Sequence, residues 1–237
     1  EVTAAELLAA GTARVEQLGA QPVVQAQMLD ALGRVNNQLG RFADAERMLR
    51  RALDLRRAQL GENHLDVAAT LSSLSDVVGQ MGRNDEALQL SREALAVRRR
   101  ALGPTHPDVA LALEEVARRT SDLPVAESLY RAARDVQRAA LGPNDPAIAF
   151  TDRDLGNILQ GQGKYEEAEA AFRESLAIRE RLTGPDRATI PVSMVFLADL
   201  LRIHRGQPVE AESLYNRALG IARQESPLRP SRLVGPL

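Results

Sequence analysis

A repeat with a period close to 42 residues constrains the fold of this chain more than any other feature. Similar short stretches, such as LGENHLDVA from Leu60 and LGPTHPDVA from Leu102, recur along the sequence. Their glycines are Gly61, Gly103, Gly142 and Gly184, separated by 42, 39 and 42 residues. Small residues keep the same rhythm at Ala45, Ala87, Ala126, Ala168 and Ala211. A fixed period of this length predicts a stack of similar units around a continuous core.

The apolar residues within one unit predict two helices joined by a short turn. Val67, Leu71, Leu74 and Val78 recur at helical spacing, and Gly82 ends the run. Residues 83–102 continue with the same periodicity. Alanine and leucine, which favour helix, dominate the composition.

The third unit is three residues shorter than its neighbours, and the loss falls at its inner turn. The stretch RRTSDLPVAES has no counterpart of the glycine turns at Gly40, Gly82 and Gly163. We therefore expect Asp122 and Pro124 to cap the second helix of this unit directly.

The stretch LGPTHPDVA raises the question of whether His106 and Asp108 form a catalytic or ligand-binding site. His64 occupies the equivalent joint one repeat earlier, and Asp145 replaces it one repeat later. Pro107 suits the first position of a helix, which puts His106 at the N-cap and Asp108 in the first turn. A catalytic residue needs no copy at every joint, so we expect these residues to be structural.

The charges of the chain argue against a strong electrostatic partner. The net charge of -2 does not draw the protein to nucleic acid or to an anionic membrane. Acidic residues cluster at the starts of the second helices and arginines near their ends, as the helix dipole favours. We therefore interpret the three arginines at 98–100 as a solvated helix end. A single lysine, Lys164, occurs among the 30 basic residues, and the sequence offers no folding reason for this.

The repeat divides the chain into a leading helix, five helix pairs and a proline-rich tail. The predicted segments are 1–20, then 21–61, 62–103, 104–142, 143–184 and 185–223, then 224–237. We expect apolar residues of the tail to cover the last helix, and a disordered or truncated tail is the alternative. The chain begins at Glu1 without methionine, so we expect it to be a piece of a longer protein. There is no apolar run long enough to span a bilayer and no cysteine.

The pattern resembles the tetratricopeptide repeat in its 42-residue form, known from kinesin light chains and many bacterial signalling proteins. GPTHPDVALAL and GQGKYEEAEAAFRESLAIRERLTGP are close to that family's pattern, and the similarity covers about residues 23–223. The resemblance implies an all-α fold, a right-handed solenoid of antiparallel helix pairs. Residues 2–53 also look like the segment that follows the kinase domain in bacterial serine/threonine kinases bearing such repeats, although no kinase motif is present.

The resemblance further implies that the first helix of each pair lines a concave groove that binds a peptide. On that template the groove residues are Gln27, Asp30, Arg34, Asn37, Ser72, Asp76, Gln80, Glu114, Arg118, Arg153, Asn157, Gln160, Asp199 and Arg202. In kinesin light chains, asparagines on this wall hold the peptide backbone, and Asn37 and Asn157 are the nearest candidates here. The family's paired asparagines are mostly replaced, for example by Ser72 and Ser73, so its ligand specificity does not carry over.

Charged residues of the predicted groove are arranged to neutralise one another. Asp30 precedes Arg34 by four residues and Glu114 precedes Arg118 by four, so each pair shares a helix face. Asp76 has no basic partner one turn away, and we expect it to contact Arg34 or Arg118 of a flanking helix. Such a groove should prefer a ligand with mixed polar contacts to a strongly acidic or basic one.

These observations favour a protein–protein interaction scaffold that binds a peptide segment in its groove. One alternative is a docking arm of a multidomain bacterial signalling protein, either a serine/threonine kinase or a transcription regulator, that acts on its own chain. Another is a solvated groove with the partner bound elsewhere.

No catalytic set or metal-ligand motif is present, so we expect no enzyme, no metal site and no cofactor. The expected partners are proteins or peptides, without nucleic acid or membrane contact, and the oligomeric state stays open. We expect a soluble domain in the cytoplasm, or outside it if the domain is tethered to a membrane-spanning kinase.

Overall fold

The computed structural model describes residues 21–225 and Val15, apart from the side chains of residues 184–186, 224 and 225. Within these residues the chain forms ten α-helices in five consecutive pairs and no strand, which confirms the predicted all-α fold class. The helices are α1 (Pro22–Gln38), α2 (Phe42–Leu60), α3 (Leu65–Gln80), α4 (Asn84–Leu102), α5 (Pro107–Arg119), α6 (Leu123–Leu141), α7 (Pro146–Gly161), α8 (Tyr165–Arg179), α9 (Ile190–His204) and α10 (Pro208–Glu225). The predicted leading helix, apart from Val15, and the tail beyond residue 225 lie outside this description.

The chain divides into two compact units within α6. The first unit ends at Val136 and the second begins at Gln137. Leu49 and Leu113 are buried in apolar clusters of the first unit, and Ile148 is buried in a cluster of the second. Each unit therefore has an apolar core of its own.

Small residues occupy the buried positions that the repeat predicts. The alanines Ala45, Ala87, Ala126, Ala168 and Ala211 all have no exposed surface. Glycine serves the same purpose in two first helices. A Cβ atom at Gly33 would lie 2.7 Å from Cγ of Leu49, and one at Gly156 would lie 2.5 Å from the ring of Phe172. Neither position can take a side chain without displacing a core residue.

The joints between pairs are helix caps, as predicted. The Nδ1 atoms of His64 and His106 each accept a hydrogen bond at 3.1 Å from the backbone N–H two residues later. Asp145 takes the same place before α7, and its Oδ1 accepts the corresponding bond at 2.9 Å. Gly61 and Gly103 end the preceding helices with a φ of 83°, which favours glycine. The histidines are therefore structural in this part of the chain.

The shortened third pair begins its second helix without a glycine turn. Asp122 Oδ1 accepts a hydrogen bond from the Val125 N–H at 3.1 Å, and Pro124 stands in the first turn of α6. This confirms the predicted cap. The joint between the last two pairs also differs, because a 3₁₀ helix over Gly184–Thr189 precedes α9.

Arginines join the second helices of consecutive pairs, or residues just outside the ends of those helices, through contacts that we call the second-helix ladder. In the first unit, Arg50 Nη2 lies 2.5 Å from Glu86 Oε1, and Arg83 Nη1 lies 2.8 Å from Glu46 Oε2. In the second unit the ladder consists of Arg138–Glu174, Arg173–Glu210, Arg205–Glu169 and Arg217–Glu180. Arg50 also contacts Glu46 in its own helix at 2.7 Å. The planar guanidinium can serve two carboxylates at once, which favours arginine over lysine at the positions of the ladder.

Candidate interaction surface on the first helices

Three predicted groove residues line one cavity in the first unit. Arg34 and Asn37 from α1 and Asp76 from α3 border a space of about 160 Å³, together with Ser73. The side-chain oxygen of Asn37 is buried and has no hydrogen-bond partner within the described part of the chain. These side chains therefore share one surface in the first unit. We call the predicted groove residues of the first helices within each unit the first-helix wall of that unit.

Asp30 was expected on this wall, but its carboxylate is buried. Oδ2 lies 3.2 Å from Nε of Arg34, the predicted pair within α1, and Oδ1 lies 3.1 Å from Nη1 of Arg56 in α2. Arg56 is buried as well, and it donates to the backbone oxygen of Asp66 at 3.0 Å and to the hydroxyl of Thr70. Asp30 thus neutralises a buried arginine, and Arg56 links α1, α2 and α3; the buried Asp30 carboxylate does not take the exposed place on the wall that was expected for it.

Ser72 and Glu114 are also occupied by the fold. The Ser72 hydroxyl donates to Oε2 of Glu115 at 2.7 Å, and Arg98 Nη1 donates to the same oxygen at 3.3 Å. Glu114 is 8% exposed, so it does not form part of the accessible surface of α5. Its predicted partner in the helix, Arg118, is exposed.

Asp76 pairs across helices, although its partner differs from the expected one. Its Oδ1 lies 2.5 Å from Nη2 of Arg119, the residue after the predicted Arg118. A second cavity of about 620 Å³ lies at the shortened turn, and Arg118 and Arg119 line it together with Gly82 and Thr120. Periodicity placed the pair between the right helices but could not select between adjacent arginines.

Four further predicted wall residues keep free polar groups. Gln27, Gln80 and Asn157 are exposed, Gln160 is half-buried, and none of the four makes a side-chain hydrogen bond within residues 21–225. Their polar groups are thus not used by the described part of the fold.

In the second unit, α9 contributes a tyrosine-linked pair. Asp199 Oδ1 accepts a hydrogen bond from the hydroxyl of Tyr215 in α10, and it lies 4.0 Å from Nη2 of Arg202. Burial and the bond to Asp199 raise the pKa of Tyr215, so the hydroxyl keeps its proton at neutral pH. Asp199 is consequently held by the fold, whereas Arg202 stays exposed.

Arg153 belongs to a cluster that the sequence analysis did not find. It donates through Nε and Nη2 to Oδ1 of Asp154, at 2.9 and 2.6 Å. Its guanidinium carbon lies 5.7 Å from the ring centroid of Phe150. Arg179 from α8 lies over the same ring at 4.2 Å and is only 2% exposed. The signal that could have found it is the equivalent position of Arg56 in the repeat.

The described residues contain no group of three histidine, aspartate or glutamate side chains placed to hold a metal ion. His204 instead stacks on Tyr165, with ring centroids 4.2 Å apart.

None of the described helices combines the length and the apolar character that crossing a membrane requires.

Comparison with known proteins identifies one family and several similar structures. The tetratricopeptide repeat matches residues 24–100, 67–118, 115–181 and 147–224. No curated protein matches the sequence. The crystal structure of BtubC (BKLC) from P. vanneervenii superposes with a TM-score of 0.81 and 21% identity, covering 100% of this chain and 98% of that one. A putative kinesin light chain of Podosopora anserina with nearly identical TPR-like repeats gives 0.73 and 21%, covering 86% and 97%. MamA gives 0.57 and 14%, covering 81% and 95%.

Proposed function

Because this chain belongs to the tetratricopeptide repeat family, we propose that it is an interaction scaffold whose first-helix wall binds a peptide segment of a partner protein. Tetratricopeptide repeats generally mediate protein–protein interactions, and the fold is typically a non-catalytic scaffold. The proposal concerns where the partner binds and in what form.

The cavity lined by Arg34, Asn37 and Asp76 carries this proposal. Three side chains from two helices converge there, and the Asn37 oxygen lacks a donor. A buried acceptor without a donor costs free energy, which the N–H of a bound peptide backbone would recover. Asn157 occupies the equivalent wall in the second unit and is exposed.

The charges of the first unit indicate how this part of the wall selects a ligand. Asp30 is the counter-ion of the buried Arg56 and also contacts the exposed Arg34, and Asp76 pairs with Arg119. Most of these charges are compensated within the fold, so we expect hydrogen bonds from asparagine and glutamine to decide the affinity in this unit.

A peptide selected from a random library on the purified chain provides the test. We expect Asn157→Ala to weaken binding of that peptide by roughly tenfold, because an unmade hydrogen bond costs about 1–2 kcal/mol. Asn216→Ala is the matched control, since Asn216 is an exposed asparagine on the second helix α10. Isothermal titration calorimetry would measure both affinities.

Equal affinity of the wild type and of a combined Asn37→Ala, Asn157→Ala variant would move the binding site away from the first-helix wall. The alternative of a docking arm within a multidomain signalling protein stays a prediction. A selected peptide that matches a segment of the parent protein would favour it.

A further inference from the structure

One position of the second helices carries a buried or half-buried polar residue in four successive pairs. These residues are Arg56, Arg98, Gln137 and Arg179, separated by 42, 39 and 42 residues. An arginine stays protonated in a protein, so each of the three arginines needs a counter-ion when it is removed from water.

The first unit supplies these counter-ions from its own chain. Arg56 contacts the carboxylate of Asp30, which lies 26 residues earlier, at 3.1 Å. Arg98 contacts Glu115, which lies 17 residues later, at 3.3 Å. Both arginines are therefore neutralised within the fold.

Arg179 has a different residue at each of those two positions. Arg153 stands 26 residues before it and Phe196 stands 17 residues after it. Arg179 Nη1 donates to the carbonyl oxygen of Thr189 at 3.3 Å, but its Nε and Nη2 have no hydrogen-bond partner among the described residues. The place of a carboxylate is taken by a second cation.

The two arginines share a small cationic cluster on the wall of the second unit. Both guanidinium carbons lie within 5.7 Å of the ring centroid of Phe150. Burial and the neighbouring charge of Arg153 lower the pKa of Arg179, while Asp154 acts in the opposite direction. Asp154 is already engaged by two donors of Arg153, so one carboxylate serves two arginines.

We propose that a carboxylate of the bound protein segment lies against Arg153, in front of the buried Arg179, and supplies the negative charge that Asp30 supplies to Arg56. Arg153, whose side chain is 25% exposed, makes the direct contact, and Arg179 adds charge from behind. Phe150, which is 44% exposed, supplies an apolar surface beside this carboxylate site. The proposal rests on the proposed function and names the ligand chemistry of the second unit.

Pools of short random peptides with one position fixed as Glu, Gln or Lys would test this proposal. For one fixed position of the peptide, we expect the wild type to bind the Glu pool with roughly tenfold higher affinity than the Gln pool, as for a charge-assisted hydrogen bond. Each pool is made with an amidated and with a free C-terminus. A preference for the free acid alone would assign the carboxylate to the chain terminus, and a preference for Glu in amidated pools would assign it to a side chain.

Arg153→Asp restores the arrangement of the first unit inside the second. The variant places an aspartate 26 residues before Arg179, so we expect a higher melting temperature and loss of the preference for carboxylates. Arg223→Gln is the control for lost positive charge, because Arg223 is an exposed arginine on α10 outside the wall. It should keep both the preference and the melting temperature.

The outcomes separate this proposal from the broader one. One outcome is that binding depends on Asn157 but the affinities for the Glu and Gln pools are equal, with free and with amidated termini. This would overturn the carboxylate site and leave the wall in place. A preference for carboxylates that survives Arg153→Asp would also overturn it. Failure of every pool to bind would overturn the binding wall and the carboxylate site together.

Discussion

Arg56 in the first unit and Arg179 in the second stand at the same position of the repeat in opposite electrostatic surroundings. Each donates to a backbone oxygen, but Arg56 also meets the carboxylate of Asp30 and the hydroxyl of Thr70, whereas Arg179 meets Arg153 and an aromatic ring. The repeat thus fixes where a guanidinium is buried, and a residue of the neighbouring first helix decides whether the fold neutralises it. A structural site and a candidate binding site can therefore share one position of the same scaffold.

The largest effect that we expect comes from removing the counter-ion of Arg56. Asp30→Ala leaves a buried arginine without its carboxylate, so the free energy of unfolding should fall by about 3–5 kcal/mol. Urea denaturation followed by circular dichroism measures this change. Asp54→Ala, an exposed aspartate on α2, is the control and should change stability by less than about 0.5 kcal/mol. A loss of similar size in both variants would show that Arg56 does not depend on Asp30.

A fall in pH should weaken the second-helix ladders of the two units to a similar extent. The hydrogen bond from Arg50 holds the pKa of Glu86 below its usual value. Burial acts against such a shift at Glu169, but the bonds from Arg173 and Arg205 give a net lowering of its pKa. A lowered pKa in the folded state means that stability is present above the unfolded pKa and is lost as the pH falls through the folded value.

Hydrogen exchange between about pH 6 and about pH 3 tests this expectation, with intrinsic exchange rates corrected for pH. Protection should fall in α4 and in α8 over the same range. Glu86→Gln should reduce the pH dependence in the first unit and leave that of the second unchanged. Acid-sensitive protection confined to one unit would contradict the equivalence of the ladders.

Replacing Arg179 should cost little, in contrast to its counterpart. Arg179→Met removes a buried charge without leaving a carboxylate behind, so we expect the free energy of unfolding to change by no more than about 1 kcal/mol in either direction. Arg56→Met leaves the buried carboxylate of Asp30 without this arginine, so the free energy of unfolding should fall clearly under the same denaturation conditions. If the two variants were equally destabilised, the two surroundings would be energetically equivalent.

The smallest effect concerns the exposed pair across α3 and α5. Asp76→Asn removes the contact with Arg119, and exposed ion pairs contribute about 0.2–1 kcal/mol. A double-mutant cycle with Arg119→Gln isolates the coupling energy, which should shrink in high salt. A coupling energy that ignores salt would mean that the pair is held by something other than charge.

The sequence predicts the fold in detail because residues with the same structural role recur at equivalent positions of several repeats. His64, His106 and Asp145 identify the caps, and the buried alanines follow one spacing. The pairing of charges is harder to predict, because a periodic pattern identifies a face without showing which side chain of another helix reaches it. The family template predicts Asp30 on the wall, but it does not show that Arg56 of the next helix binds its carboxylate.

The charge gradient along the second helices shows the same difficulty. The acidic starts and basic ends of these helices suit the helix dipole. The dipole alone does not predict the ion pairs between second helices of consecutive pairs. The signal is present in the sequence as opposite charges 36 or 37 residues apart, a few residues less than the period. The repeat identifies Arg179 as the equivalent of Arg56, but only the structure shows that Arg179 is buried beside a second arginine and not beside a carboxylate.

The constant offset of the second-helix ladder has a consequence for how such an array evolves. A rung joins charges 36 or 37 residues apart wherever it occurs, as between Arg50 and Glu86 or between Arg173 and Glu210. Unequal recombination that inserts or deletes one whole helix pair therefore brings new neighbours together with their charges already matched. A change in repeat number of this kind would keep the rungs of the ladder paired. A residue that departs from the repeat, such as Arg153 at the position of Asp30, would be copied by such a duplication. Selection could then change each copy separately.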